Sequence, residues 1–370
     1  MHFFVDVDSG ASISGWLVPD NPRNEPELII RFPDRDDVRM TANVMRADLR
    51  DIGLHATGMA GFRVDQDIVP DLFDVQDITL IEAETRLPIY RRFVPGQYFE
   101  KKFLLLDVGV LPQIKMLRRI MAHFALSYPL IERLPIETIG MVLNNKEARS
   151  IFVTGILNWA RHGAIVNQRE YVSAALLRDP FEDLAERILF LRHLSNRGEG
   201  SQVQNSFSGA SSERYREVMQ IMRHVDLSSS KSVLGGFRRM TTECRKLFRS
   251  PATAALGGTP DAELQRRNVS VALDNLAQFN IVGVRPLFSE FTSMVDECLT
   301  APIMAQEQLE VLPGTLELAE VLSKIGLVAD LLDEDIALYS FVTEAVEAGL
   351  KIAADRLKNE ANPDFPGAPQ

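Results

Sequence analysis

The residues best placed to do chemistry in this chain run from Leu176 to Asp183, reading Leu-Leu-Arg-Asp-Pro-Phe-Glu-Asp. An apolar run stops there and helix-start residues begin. Asp179 suits an N-cap, Pro180 the first helical position and Glu182 the far end of a capping box. Arg178 is thereby set as a fixed cation beside exposed backbone N–H groups, where the start of a helix most easily holds an anion. The same guanidinium has a plainer use, an ion pair with Glu182 or Asp183.

The elements that must position this arginine follow from hydrophobic pattern. Phe103–Leu106, Ile151–Val153 and Val172–Leu177 are short, fully apolar runs alternating with helical patterns, the mark of a parallel sheet covered on both faces. A loop over 107–112 and a helix over 113–126 follow the first run. After Pro180, the residues Phe181, Leu184, Ile188 and Leu191 recur at helical spacing and are expected to face a core. Residues 1–98 read differently. Strand candidates at 3–7, 12–18, 27–32, 38–42, 61–64 and 78–81 are separated by turn signals such as Pro19-Asp20-Asn21-Pro22. They suggest a small antiparallel sandwich or barrel. Residues 196–213, rich in Gly, Ser, Asn and Gln, read as a mobile loop, either a surface insertion or a lid. The Pro-containing tail over 359–370 reads as disordered.

Three segments in order resemble the carbohydrate sulfotransferase superfamily. They are the Leu-Arg-Asp-Pro run with its helix, the stretch Asn275–Val284 followed by Pro286-Leu287-Phe288, and Asp335-Ile336-Ala337-Leu338-Tyr339. The N-terminal part is similar to a β module of bacterial proteins linked to surface-polysaccharide synthesis, through Gly15-Trp16-Leu17-Val18-Pro19, Ala47-Asp48-Leu49, Gly53 and Gly61-Phe62. On the residues alone, Trp16 and Phe62 read as filling the core of that small module. The resemblance implies an α/β fold, with a sulfotransferase-like parallel sheet and flanking helices over 99–358 behind a small β domain over 1–98.

The resemblance also implies a reaction, transfer of a sulfuryl group from phosphoadenosine phosphosulfate to a glycan hydroxyl. In that frame Arg178 stands at the position of the 3′-phosphate arginine, and Gly109 and Lys115 are what remains of the nucleotide loop. His162 stands in for a base if its loop folds back. The frame also shows departures. Glu186 occupies the place of a phosphate-binding serine, Asp107 puts an anion where phosphate oxygens belong, and Gly155-Ile156 replaces a Gly-His pair. Lys115 and His162 have ordinary uses too, as a solvated helix charge and a helix-end histidine. A second basic stretch, Arg238, Arg239, Arg245, Lys246 and Arg249, flanks Gly235-Gly236-Phe237. On one helix, Arg238, Arg245 and Arg249 share a face suited to phosphate or to an acidic glycan; the bland alternative is a solvated face.

Composition bounds the rest. The 370 residues carry a net charge of −11, which argues against broad nucleic-acid binding and leaves room only for a local basic pocket. Two cysteines, Cys244 and Cys298, make neither a disulfide framework nor a zinc spacing, and no metal is expected. There is no signal-like start and no apolar run able to span a bilayer, so a cytoplasmic chain is expected, with peripheral contact at the inner membrane left open. Glycans or polysaccharide-synthesis proteins are the expected partners; oligomeric state is not readable. Two readings stand side by side: an atypical sulfotransferase of surface-glycan synthesis, and an inactive scaffold or regulatory subunit with the same fold.

Overall fold

Short runs rich in apolar and β-branched residues form the N-terminal strands β1 (His2–Asp8), β2 (Ile13–Val18), β3 (Glu27–Arg31), β4 (Val38–Thr41), β5 (Val44–Met45), β6 (Met59–Val64), β7 (Ile78–Glu82) and β8 (Pro88–Arg92), with a short helix α1 (Ala47–Asp51) before β6. In this computed structural model the described residues are all but 112, 197–210, 261, 306 and 361–370. The expected loop over 196–213 lies largely, and the tail mostly, outside them. The strands form two antiparallel sheets, ordered β1-β2-β6-β5 and β4-β3-β7-β8. Asp8 at the end of β1 accepts hydrogen bonds from Arg92 Nη2 at 2.6 Å and Tyr90 Oη at 2.7 Å, tying β1 to β8.

Register explains the paired Gly-aromatic motifs. Gly15 lies opposite Phe62, and Trp16 opposite Gly61. A Cβ at Gly15 would collide with the Phe62 ring, so glycine is what lets that ring lie over the neighbouring strand. Phe62 is buried as expected. Trp16 is not: it covers a separate small cluster of Val18, Leu49 and Ala60 while half exposed itself, with the Arg46 guanidinium 5.9 Å from its ring centre.

A parallel sheet of five strands follows: β9 (Lys102–Asp107), β10 (Leu126–Tyr128), β11 (Ile151–Gly155), β12 (Val172–Leu177) and β13 (Ile281–Val284), in the order β10-β11-β9-β12-β13. The helices around it begin with α2 (Ile114–Met121), α3 (Ile136–Leu143), α4 (Trp159–Gln168) and α5 (Pro180–Asn196). Next come α6 (Ser211–Met222), α7 (Ser230–Arg239), α8 (Thr242–Lys246), α9 (Pro251–Gly257), α10 (Arg267–Leu276) and α11 (Phe288–Leu299). The last three are α12 (Thr315–Ser323), α13 (Gly326–Leu331) and α14 (Asp333–Glu360). Helix α14 therefore carries 359 and 360, so it runs two residues into the expected tail. The expected helix over 113–126 is shorter than its pattern. It stops at Met121, and Leu126 and Tyr128 turn inward on either side of Ser127 to make strand β10.

The chain divides into two compact units, one of residues 1–105, 114–157 and 162–173, the other of 106–113, 158–161 and 174–370. In the first, the rings of Phe103, Phe124 and Phe152 stack on one another, with centres 5.5–6.3 Å apart. In the second, Leu184, Ile188 and Leu191 of α5 enter a core shared with α6, α7 and α12. Burial of each such side chain contributes about 1.5–3 kcal/mol, and that periodic stripe is what seats α5.

Candidate functional site

Strand β9 leaves the middle of the parallel sheet for its β10 edge, and β12 opens the run toward β13 on the other side. Neighbouring strands whose connections diverge this way mark the topological switch point, the place where open α/β sheets take ligands at the carboxyl ends of their strands. Asp107 ends β9 and Arg178 directly follows β12. The start of α5 is built as its sequence predicts, for Asp179 Oδ1 accepts from the N–H groups of Phe181 at 2.9 Å and Glu182 at 3.1 Å. The Glu182 carboxylate does not close a capping box. It turns instead toward Arg285, 3.5 Å away.

Arg178 is held by carboxylates on both sides. Its Nη1 donates to Glu186 Oε2 at 2.8 Å and its Nη2 to Asp107 Oδ2 at 2.9 Å, with the side chain only 1% exposed. The pairs with Glu182 or Asp183 foreseen from sequence are not the ones formed. Burial works against the charge on Arg178, but Asp107, Glu186 and Asp183 outweigh it and hold the guanidinium above its ordinary pKa. Gly109 lies flat against this guanidinium, where a Cβ would collide with it, and its N–H is turned back onto Asp107 Oδ1 at 2.9 Å. Glu186 is fully buried and also accepts from Arg285 Nη2 at 2.8 Å.

A second pair lies alongside. Arg187 Nε donates to Asp183 Oδ2 at 2.6 Å, and its Nη2 donates to the carbonyl of Val108. Asp183 Oδ1 and Arg178 Nε have no partner among the described residues. Both residues wall a void of about 10 Å³, together with Leu338, Tyr339 and Asp335. The space is about the size of one water molecule. Asp335 accepts from the N–H groups of Ala252 at 3.0 Å and Thr253 at 2.7 Å. Burial pushes its carboxyl up to about 6, against those hydrogen bonds and with Asp183 adding repulsion.

The three segments singled out in the sequence therefore converge. Arg178 and Pro180 come from the first, Arg285 directly follows the strand of the second, and Asp335, Leu338 and Tyr339 come from the third. Sequence reasoning noticed Asp107 and Glu186 but missed Arg187 and Arg285. Arg187 had a legible signal, its four-residue spacing from Asp183 on a helix; Arg285 had none.

The other candidates lie elsewhere. Lys115 is exposed in the first turn of α2, and His162 is buried within α4, where the chain is helical and does not double back as a loop. Arg238 and Arg245 do not share one helix, because α7 ends at Arg239 and Met240 is extended before α8 begins. Arg238 is exposed, Arg245 is half-buried, and Arg249 is spent on Glu334 at 3.0 Å. Among the described residues neither Cys244 nor Cys298 is in a disulfide. Among the described residues no group of acids, histidines and cysteines is gathered to hold a metal, and no helix is long and apolar enough to cross a membrane.

Two larger hollows belong to the same unit. One, of about 420 Å³, opens over Asp179, Phe181, Tyr339, Thr343 and Glu347 and shares Pro180 and Tyr339 with the small void. The other, about 430 Å³, is an apolar groove between α10, α11 and α14, floored by Ala277, Ala345 and Gly349.

Compared with models of known protein families and with curated proteins, the chain finds no match in either.

Proposed function

We propose that this chain is a sulfotransferase-type α/β protein that has given up nucleotide chemistry and acts as a scaffold or regulatory subunit in bacterial surface-glycan synthesis. The observation that carries the reading is the double pairing of Arg178 with Asp107 and Glu186. A phosphate-binding arginine must offer its fork to the ligand. Here both terminal nitrogens are already engaged by carboxylates, the buried Glu186 and the half-buried Asp107, and Glu186 is shared with Arg285. An incoming phosphosulfate would have to displace a carboxylate and then sit beside it, where like charges repel. The loop after β9 adds no lysine between Asp107 and Gln113, so nothing there neutralises charge on a leaving group. Phosphoadenosine phosphosulfate therefore does not suit these residues. The link to glycans comes from the likeness of the N-terminal module to those of surface-polysaccharide proteins.

Isothermal titration of the full chain with adenosine 3′,5′-bisphosphate tests the reading. No saturable binding is expected. Saturable binding that Arg178→Ala abolishes would overturn it and restore the rival, a working glycan sulfotransferase.

A further inference from the structure

Residues 211–249 hold nine lysines and arginines against four acids, a net of +5 within a chain whose total is −11. The fold leaves six of the nine cations exposed. Helices α7 and α8 both pack on α6, burying Val218, Met222, Val233, Phe237 and Cys244 in a common core. Exposed cations lie outside that core. Arg216 and Arg223 lie seven residues apart on and just beyond α6, Lys231 and Arg238 seven apart on α7, and all four are exposed. Arg239 and Lys246 are exposed as well. Of the segment's four acids, Glu213 is exposed three residues before Arg216 and Glu217 lies against the Cys244 thiol. Glu243 pairs with Lys246 at 2.8 Å and approaches Arg214 at 3.9 Å, while Asp226 is turned onto the hydroxyl and N–H of Ser228.

We infer that the outer face of α6 and α7, with Arg216, Arg223, Lys231, Arg238 and Arg239, binds an acidic polysaccharide whose carboxylate or sulfate groups recur along the chain. The inference deepens the glycan reading above and rests on it for the kind of polymer. Charge complementarity carries the site itself. A basic face on an otherwise acidic protein attracts a polyanion locally while the rest of the surface repels it, which fixes where the polymer docks. Two rival polyanions fit less well. A membrane-binding face needs large apolar side chains beside its cations, and among the described residues none of the exposed large hydrophobics falls between 211 and 249. Single-stranded nucleic acid needs stacking platforms, and here Phe237 and Phe248 are buried in the core. Repeated carboxylates or sulfates on a sugar chain require only spaced, exposed cations, and arginine forks suit both groups.

The test uses the full chain and oligogalacturonate, with neutral dextran, single-stranded DNA and phosphatidylglycerol vesicles as parallel probes. Saturable binding of oligogalacturonate is expected at low salt, weakening steeply as salt rises through counterion release. Arg223→Ala, Lys231→Ala, Arg238→Ala and Arg239→Ala combined should weaken it at least tenfold and flatten its salt dependence. These side chains are exposed, and an unchanged circular dichroism spectrum will show that the fold is kept. Equal binding by the fourfold variant, no binding by wild type, or DNA or vesicles binding as tightly as the uronate would each overturn the inference. None of those results touches the bisphosphate titration, so the two readings fail separately.

Discussion

Arg178 and Glu186, eight residues apart in sequence, meet at 2.8 Å across the first turns of α5, in a site from which both side chains are closed off from water. The glutamate neutralises the arginine from within the site. Removing one member of a buried pair strands the other, which typically costs about 3–5 kcal/mol. Glu186→Ala is therefore expected to lower the urea midpoint strongly by leaving Arg178 with Asp107 alone and Arg285 with Glu182 alone. A double-mutant cycle with Arg178→Ala should return a coupling of about 0.5–3 kcal/mol; additive losses would mean that the pair contributes no coupling.

The seat of the guanidinium depends on Gly109. Alanine there would push its Cβ into Arg178, and the neighbour is a doubly anchored side chain with nowhere to go. Gly109→Ala should cost about 1–3 kcal/mol by overpacking, read from chemical denaturation. An unchanged midpoint would show that the loop after β9 can move away freely.

Asp335 makes stability depend on pH in an unusual direction. Its carboxyl rises from 3.8 to about 6 on folding, so the folded state holds the proton more tightly than the unfolded chain. Its contribution is most favourable below about pH 4 and falls as pH rises between those values. By linkage the loss is about 3 kcal/mol in all. Asp335→Asn removes the titration. Stability of wild type relative to this variant should fall between pH 4 and pH 7, measured from urea midpoints at each pH. A difference that stays flat, or rises with pH, would refute the assignment.

Asp179 caps α5 through two backbone N–H groups. Asp179→Ala should cost about 1 kcal/mol, and Asp179→Asn much less, because the amide oxygen still accepts. Equal losses for the two variants would point to charge rather than capping as the source.

Much of this architecture was written in local pattern. The strands at 103–106 and 172–177 were legible because both faces of a central strand are buried, which leaves an unbroken apolar run. The start of α5 was legible because a cap, a proline and an apolar stripe agree within a dozen residues. Strand β10 was hidden because three residues at a sheet edge are too few to show a period beside a helical pattern.

The sequence by itself determined the apolar central strands and the start of α5, that Arg178 would stand at a strand-to-helix junction, and that residues 211–249 would be basic in an acidic chain. Only the tertiary structure decided what Arg178 touches. Asp107 lies 71 residues away from it along the chain, and Arg285 lies 99 residues from the glutamate they share. No periodicity encodes such distances. Charges this deeply buried must be paired, and the order of strands in the sheet settles which charges are near enough to do it.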